Sequence, residues 1–174
     1  GDEAVDRRLL RLSLSTALAV CESLDPYVDA APQIKWPNDV LVGGKKICGI
    51  LAERGRGELR IGIGLNLNAR SLPRELRLPA TSLFLECGRE ISRVDLLRGL
   101  LDWLERRLSR GELDAGAVAS RLAYLGEEVH YELREGGEER AYTGRLAALA
   151  ADGSLVIERQ GTRIVIDPVR LLSL

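Results

Sequence analysis

Two consecutive glycines, Gly43 and Gly44, separate the apolar run Val40–Val42 from a second run that starts at Lys45 and continues to Leu51. Two-residue connections between antiparallel strands need positive φ, which glycine adopts without steric cost, so this pair predicts a tight hairpin. Arg54-Gly55-Arg56-Gly57 supplies a second turn, and Glu58–Asn66 returns as a third strand. The expectation is an antiparallel meander. Ahead of it, Leu10, Leu14, Leu18, Cys21 and Leu24 recur at helical spacing over residues 5 to 24 with no Pro or Gly between them, which predicts a long helix. Asp25–Pro32 reads as a loop, and Gln33–Trp36 as a strand that Pro37 stops because proline cannot donate to a ladder.

Beyond the meander, residues 71 to 79 read as irregular. Ser92-Arg93-Val94-Asp95 has the form of a capping box, and Leu97, Leu100, Leu101, Leu104 and Leu108 follow it at helical spacing. A shorter helix is expected from Asp114 to Tyr124, closed by Gly126. The pattern then changes. Val129–Leu133, Ala141–Leu149, Ser154–Glu158 and Arg163–Ile166 are short strand-like runs parted by Gly136-Gly137, Asp152-Gly153 and Gln160-Gly161. Strands so closely spaced predict a small barrel that packs on the larger part for stability. The reading is an α/β (α+β) chain with a boundary near residue 126, dividing it into 1–125 and 126–174.

The 174 residues suffice for a substantial core, and no apolar run reaches the length a membrane helix needs. With 25 basic against 26 acidic residues there is no electrostatic footprint for nucleic acid or an anionic membrane, so an anion must be held locally. Cys21, Cys48 and Cys87 include no CxxC pair, which argues against disulfides and a zinc site and for a reducing cytoplasm. His130 is the single histidine, and neither GxSxG nor a P-loop signature occurs, which excludes histidine triads, multi-histidine metal sites and the common ATP-binding loop. The chain has no methionine and starts at Gly1, in keeping with its being part of something longer.

Asn38 and Asp39 follow a strand end, where Pro-Asn-Asp is also ordinary turn chemistry. Lys46 adjoins the hairpin turn, a common place for a solvated lysine, yet Gly49 stands three residues on. An isolated glycine in an apolar strand marks close approach by a ligand or by another backbone. Gly62 and Gly64 clear one face of the next strand before Asn66. A glycine-floored slot with a lysine, an acidic group and asparagines suits an anionic, partly flat ligand such as a nucleotide-linked carboxylate.

These residues carry a resemblance. KWPNDV at 35–40, KKICGILAE at 45–53, IGIGLNLN at 61–68 and ATSL at 80–83 together resemble the catalytic region of biotin protein ligases, and the final stretch resembles that family's SH3-like barrel. The resemblance implies a class II synthetase-like mixed sheet with helices. It also implies an activity: biotin and Mg-ATP give biotinyl-AMP, and biotin then passes to a lysine of a biotin carboxyl carrier domain. Lys46 matches the lysine that contacts biotin's carboxylate and the adenylate phosphate. Asp39 and Asn38 match positions near the metal and phosphates, with Asp39 a candidate Mg2+ ligand and a group that orients or deprotonates the incoming amine. Asn66 matches the adenine contact, while Gly49, Leu51 and Gly62 match the pocket floor. Nothing here matches the family's arginine- and glycine-rich biotin loop, and Arg54-Gly55-Arg56-Gly57 is a decoy. This leaves open a chain inactive by itself, a homodimer, or a complementing N-terminal polypeptide. A non-catalytic adenylate- or carrier-binding fragment and a lipoate-type ligase are the alternative readings. Arg170 is a candidate, not relied on, for an ATP contact.

Overall fold

The computed structural model describes residues 2–56, 58–73, 79–109, 111–135, 138–166 and 171–173. Helix α1 (Asp2–Leu24) leads through a single 3-10 turn (Asp25–Tyr27) into strands β1 (Gln33–Lys35), β2 (Asp39–Val42), β3 (Lys45–Arg54) and β4 (Leu59–Leu65). These form one antiparallel sheet in chain order. Gly43 and Gly44 sit at φ +56° and +73°, the positive values the hairpin requires. The Gly57 position of the second turn lies outside the described residues, but the turn is closed by the Gly55 N–H donating to the Glu58 carbonyl at 2.8 Å.

Helix α1 covers one face of this sheet. Leu14, Leu18 and Leu24 on the helix, with Ile34, Trp36, Val40, Ile47, Cys48 and Ile50 on the strands, are essentially inaccessible. The sheet does not alternate in and out throughout, because Val40 pairs with Cys48 and Leu41 with Lys46, leaving Ile47 as an unpaired bulge residue. Residues 79 to 84 lace the meander together. The Lys46 N–H donates to Pro79 O, the Thr81 N–H to Lys46 O and the Leu83 N–H to Asn66 O.

Three helices follow: short α2 (Leu83–Cys87), long α3 (Arg93–Leu108) and short α4 (Ala115–Ser120). Ser92 caps α3 by accepting the Asp95 N–H at 3.3 Å. The buried residues of α3 are Leu96 and Leu100, whereas Leu97 and Leu101, expected on the core face, are each 54% exposed. Leu100 and Leu104 of the predicted stripe pack on the core, and Leu96 joins them in place of Leu97 and Leu101, because α3 meets α1 along the line that also holds the Arg107–Glu22 ion pair. Helix α4 ends earlier than Tyr124. Its following backbone bonds to the free edge of β1 instead, with the Ile34 N–H donating to Arg121 O at 2.7 Å and the Ala123 N–H to Ile34 O at 2.9 Å.

Strands β5 (Glu128–Glu135), β6 (Glu138–Leu149), β7 (Leu155–Arg159), β8 (Thr162–Ile166) and β9 (Leu171–Ser173) make a second antiparallel sheet in the order β8-β7-β6-β5-β9. Bulges in β5 and β6 interrupt its register. The Gly136-Gly137 turn and Arg170 lie outside the described residues. Tyr131, Leu146, Leu155 and Ile157 from this sheet join the same buried cluster as α1. Gly153, in the β6–β7 turn, packs so close to Leu14 of α1 that a Cβ there would come within 2.9 Å of its side chain.

Candidate functional site

The register of the first sheet sets four residues side by side. Lys35 lies opposite Asp39, Asp39 opposite Gly49, and Gly49 opposite Gly64, so a row runs across all four strands. Directly paired residues share a face. Because Ile34, Trp36, Cys48 and Ile50 bury themselves under α1, this row faces the other way. A second pair, Leu51 opposite Gly62, continues the floor on that face, with Leu51 60% exposed. The outer surface is thus a bare glycine strip, walled at one end by Lys35, Asp39 and Lys46 and flanked by Leu51.

Lys46 reaches this face because of the Ile47 bulge. In a regular strand residues 46 and 49 would point to opposite faces. Here a Cβ on Gly49 would sit 3.3 Å from both Cε and Nζ of Lys46 and 3.5 Å from Asp39 Oδ1. The Lys46 ammonium bonds Asp39 Oδ1 at 2.6 Å, with the carboxylate side chain 16% exposed and the lysine 38%. Burial of Lys35 pushes its ammonium below the ordinary lysine pKa, with the Asp39 charge opposing that shift and Lys46 adding to it. One carboxylate is therefore coupled to two cations.

Most of the Trp-Pro-Asn-Asp turn is spent on holding Asp39 in place. The Trp36 indole N–H donates to Gly153 O at 2.8 Å, Ser13 Oγ donates to Pro37 O, and the Trp36–Pro37 peptide is cis. Asn38 clasps β3 twice, its side-chain amide donating to Ile50 O at 2.8 Å and its carbonyl accepting from the Ile50 N–H. Its amide nitrogen is thereby engaged by the fold. Asn66 is likewise tied down, its side chain donating to Thr81 O at 3.0 Å and its N–H to Ile47 O. It lines a groove of about 750 Å3 between β4 and α3, with Ile63, Leu65, Leu97 and Leu101, rather than touching the Lys46–Asp39 pair.

Ala-Thr-Ser-Leu at 80–83 is a structural clasp next to the site. Ser82 caps α2 and donates to Ala69 O at 2.6 Å. Thr81 donates to Glu86, which also pairs with Lys45 at 2.8 Å. Burial raises the Glu86 carboxyl, but these hydrogen bonds outweigh it and hold the pKa below the ordinary value. Cys48, directly beneath the site, is pushed up to about 12 chiefly by burial, then by the Asp39 charge, with Lys46 opposing. It is no nucleophile near neutral pH.

Among the described residues no group of three or more His, Cys, Asp or Glu is placed to hold a metal ion. Asp39, the carboxylate the resemblance nominates for Mg2+, already carries an ammonium at 2.6 Å and has Lys35 opposite. That donor set does not fit a resident divalent cation. Lys35 and Trp36 are the residues sequence reasoning missed. The alternation that buries Ile34 and Trp36 would have placed Lys35 on the site face.

Residues 3–68 match the model of the Biotin/lipoate A/B protein ligase family. The chain is 34% identical over 163 residues to the bifunctional ligase/repressor BirA of Bacillus spizizenii, an alignment covering 86% of this chain and 49% of that relative. It is 34% identical over 164 residues to the biotin--[acetyl-CoA-carboxylase] ligase of Mycobacterium tuberculosis, covering 89% and 59%. The chain thus spans about half the length of the curated relatives it matches. The apo biotin protein ligase from Aquifex aeolicus superposes with a TM-score of 0.82 at 31% identity, covering 94% of this chain and 74% of that one. That protein is also solved in complex with biotin and ATP. No helix among the described residues is long and apolar enough to cross a membrane.

Proposed function

The chain belongs to the biotin protein ligase family, and from that premise we propose that its glycine strip is the acyl-adenylate site of an ATP-dependent ligase that acts on biotin. The observation that carries this reading is the Lys46 ammonium held over Gly49 against Asp39, at the head of a floor cleared by Gly62 and Gly64. A flat ligand can lie on that floor, and its acyl-phosphate end meets the Lys46 ammonium, which leaves Asp39 for it.

In the first step a biotin carboxylate oxygen bonds the α-phosphorus of ATP and pyrophosphate leaves. Lys46 stabilises negative charge at the junction, a fixed charge whose loss costs on the order of 3 kcal/mol of transition-state stabilisation. A Mg2+ ion would be held by the ATP phosphates rather than by Asp39, and would offset their charge. In the second step an acceptor lysine amine bonds the acyl carbon and AMP leaves. Asp39, once free of Lys46, orients the acceptor lysine and takes a proton from its ammonium so that the neutral amine attacks; the second proton is lost to solvent as the amide forms. Leu51 supplies apolar contact beside the floor. The acceptor is a carrier domain presenting an exposed lysine, in the cytoplasm where ATP is abundant. We place the division between the catalytic part and the SH3-like part at residues 125 and 126.

Pyrophosphate release with biotin and ATP tests the reading, with lipoate offered in competition. Biotin-dependent release that lipoate does not inhibit is expected. Lys46→Ala should slow it by about 100-fold or more while lowering unfolding free energy by only about 1 kcal/mol, since Lys35 stays opposite Asp39. Binding of biotin and ATP without pyrophosphate release would favour a non-catalytic binding module, and equal losses of stability and activity would make Lys46 structural.

A further inference from the structure

Asp39 presents an electrostatic problem. Its side chain is only 16% exposed, and its direct partner is the Lys46 ammonium at 2.6 Å. For Lys46 to serve a ligand anion it must leave that carboxylate, and a largely buried charge stripped of its partner is costly. Something else must face Asp39 when Lys46 departs. Arg and Lys side chains further along the sheet do not stand in this row. The residue directly opposite Asp39 on β1 is Lys35.

Resting on the proposed acyl-adenylate reading, we propose that Lys35 is a positioning residue of this site: it is the standing counter-ion of Asp39 that releases Lys46 to the ligand's anion. Lys35 and Asp39 share the site face, and β1 is held along its edge by the backbone bonds between Ile34 and residues 121 and 123, and from behind by buried Trp36. Lys46 makes the direct ion pair, while Lys35 interacts with both Asp39 and Lys46 through space. The titratable groups facing this cluster are Lys35 on β1, Asp39 on β2, Lys46 on β3 and, from beneath, the buried Cys48 thiol. The arrangement works as an exchange. In the empty site Asp39 holds Lys46 and shares Lys35; with a ligand anion present Lys46 turns to it, and Lys35 keeps Asp39 compensated. A lysine serving the fold alone would not be coupled to Asp39 in ligand binding.

The test is calorimetric binding of biotinyl sulfamoyl adenosine, a non-hydrolysable acyl-adenylate mimic, to the whole chain and to Lys35→Met, Lys35→Arg, Asp39→Asn and the Lys35→Met/Asp39→Asn double variant. Lys35→Met should weaken binding about tenfold and Lys35→Arg restore it to within about twofold, while in the Asp39→Asn background Lys35→Met should change affinity by less than about twofold. Lys35→Gln serves in place of Lys35→Met if thermal unfolding shows the methionine variant to be misfolded. If the unsubstituted chain binds the mimic but Lys35→Met binds equally well, or loses the same factor with and without Asp39, the assignment of Lys35 is overturned and the site stands. If the unsubstituted chain does not bind the mimic at all, the acyl-adenylate reading falls and takes this one with it.

Discussion

Gly49→Ala separates what the fold needs from what the site needs. The nearest atoms the added Cβ would meet are Lys46 Cε and Nζ at 3.3 Å and Asp39 Oδ1 at 3.5 Å, all from side chains. The atoms that must yield are the far end of a flexible side chain, and a few tenths of an ångström suffice. In the strand, alanine recovers roughly 0.5–1 kcal/mol of conformational entropy relative to glycine. Against this stands disturbance of a partly exposed ion pair, worth about 0–1 kcal/mol. Net unfolding free energy should therefore move by less than about 1 kcal/mol in either direction, read by urea denaturation. Ligand binding should respond differently, since a methyl group raised from the floor beneath the acyl-phosphate overpacks the complex by about 1–3 kcal/mol. That corresponds to about a five- to 150-fold weaker Kd for the acyl-adenylate mimic. A variant that binds the mimic as well as the parent chain would mean the glycine strip is not a ligand surface, and a variant that unfolds would mean the glycine is there for packing.

Trp36→Phe removes the indole donor and leaves the Gly153 carbonyl unpaired in a buried place, so unfolding free energy should fall by about 1–3 kcal/mol in denaturant titration; an unchanged midpoint would deny that this bond ties the two sheets together. Because the Glu86 pKa is depressed below 4.5, its stabilising effect is fully present above about pH 4.5 and is lost as pH falls through the lowered value. Glu86→Gln should accordingly be less stable than the parent at pH 7, with the gap closing in acid, and a gap constant with pH would contradict the assignment. Native chain at pH 8 should react with an aromatic disulfide reagent at Cys87 alone, since Cys21 and Cys48 are buried and pushed up to about 12; all three should react once unfolded. Rapid modification of two or three thiols in the native chain would count against the packing beneath the site.

Local turn chemistry made much of the fold readable. Gly43-Gly44 fixed the hairpin, Ser92 marked the start of α3, and the leucine spacing before residue 24 marked α1. Where the reading slipped, a tertiary contact overrode a local pattern. Leu97 and Leu101 fit a helical stripe as well as Leu96 and Leu100 do, and only the direction of α1 decides between them. Residues 121–123 could have prolonged α4, but the unpaired edge of β1 offered their backbone other partners. Within the site, Asp39, Gly49 and Gly62 were legible from residue type and spacing. That Lys46 lies over Gly49 was not, because strand periodicity separates positions three apart and a bulge cannot be read from an apolar run. Asn38 and Asn66 looked like ligand contacts, yet both spend their amide nitrogens on backbone carbonyls of the fold.

The most direct measurement is a crystal structure of the chain with biotinyl sulfamoyl adenosine bound. The account predicts the ligand lying across Gly49, Gly62 and Gly64, with the Lys46 ammonium moved off Asp39 onto the acyl-sulfamate. A ligand seated elsewhere, or one on the strip with Lys46 still bonded to Asp39, would contradict it.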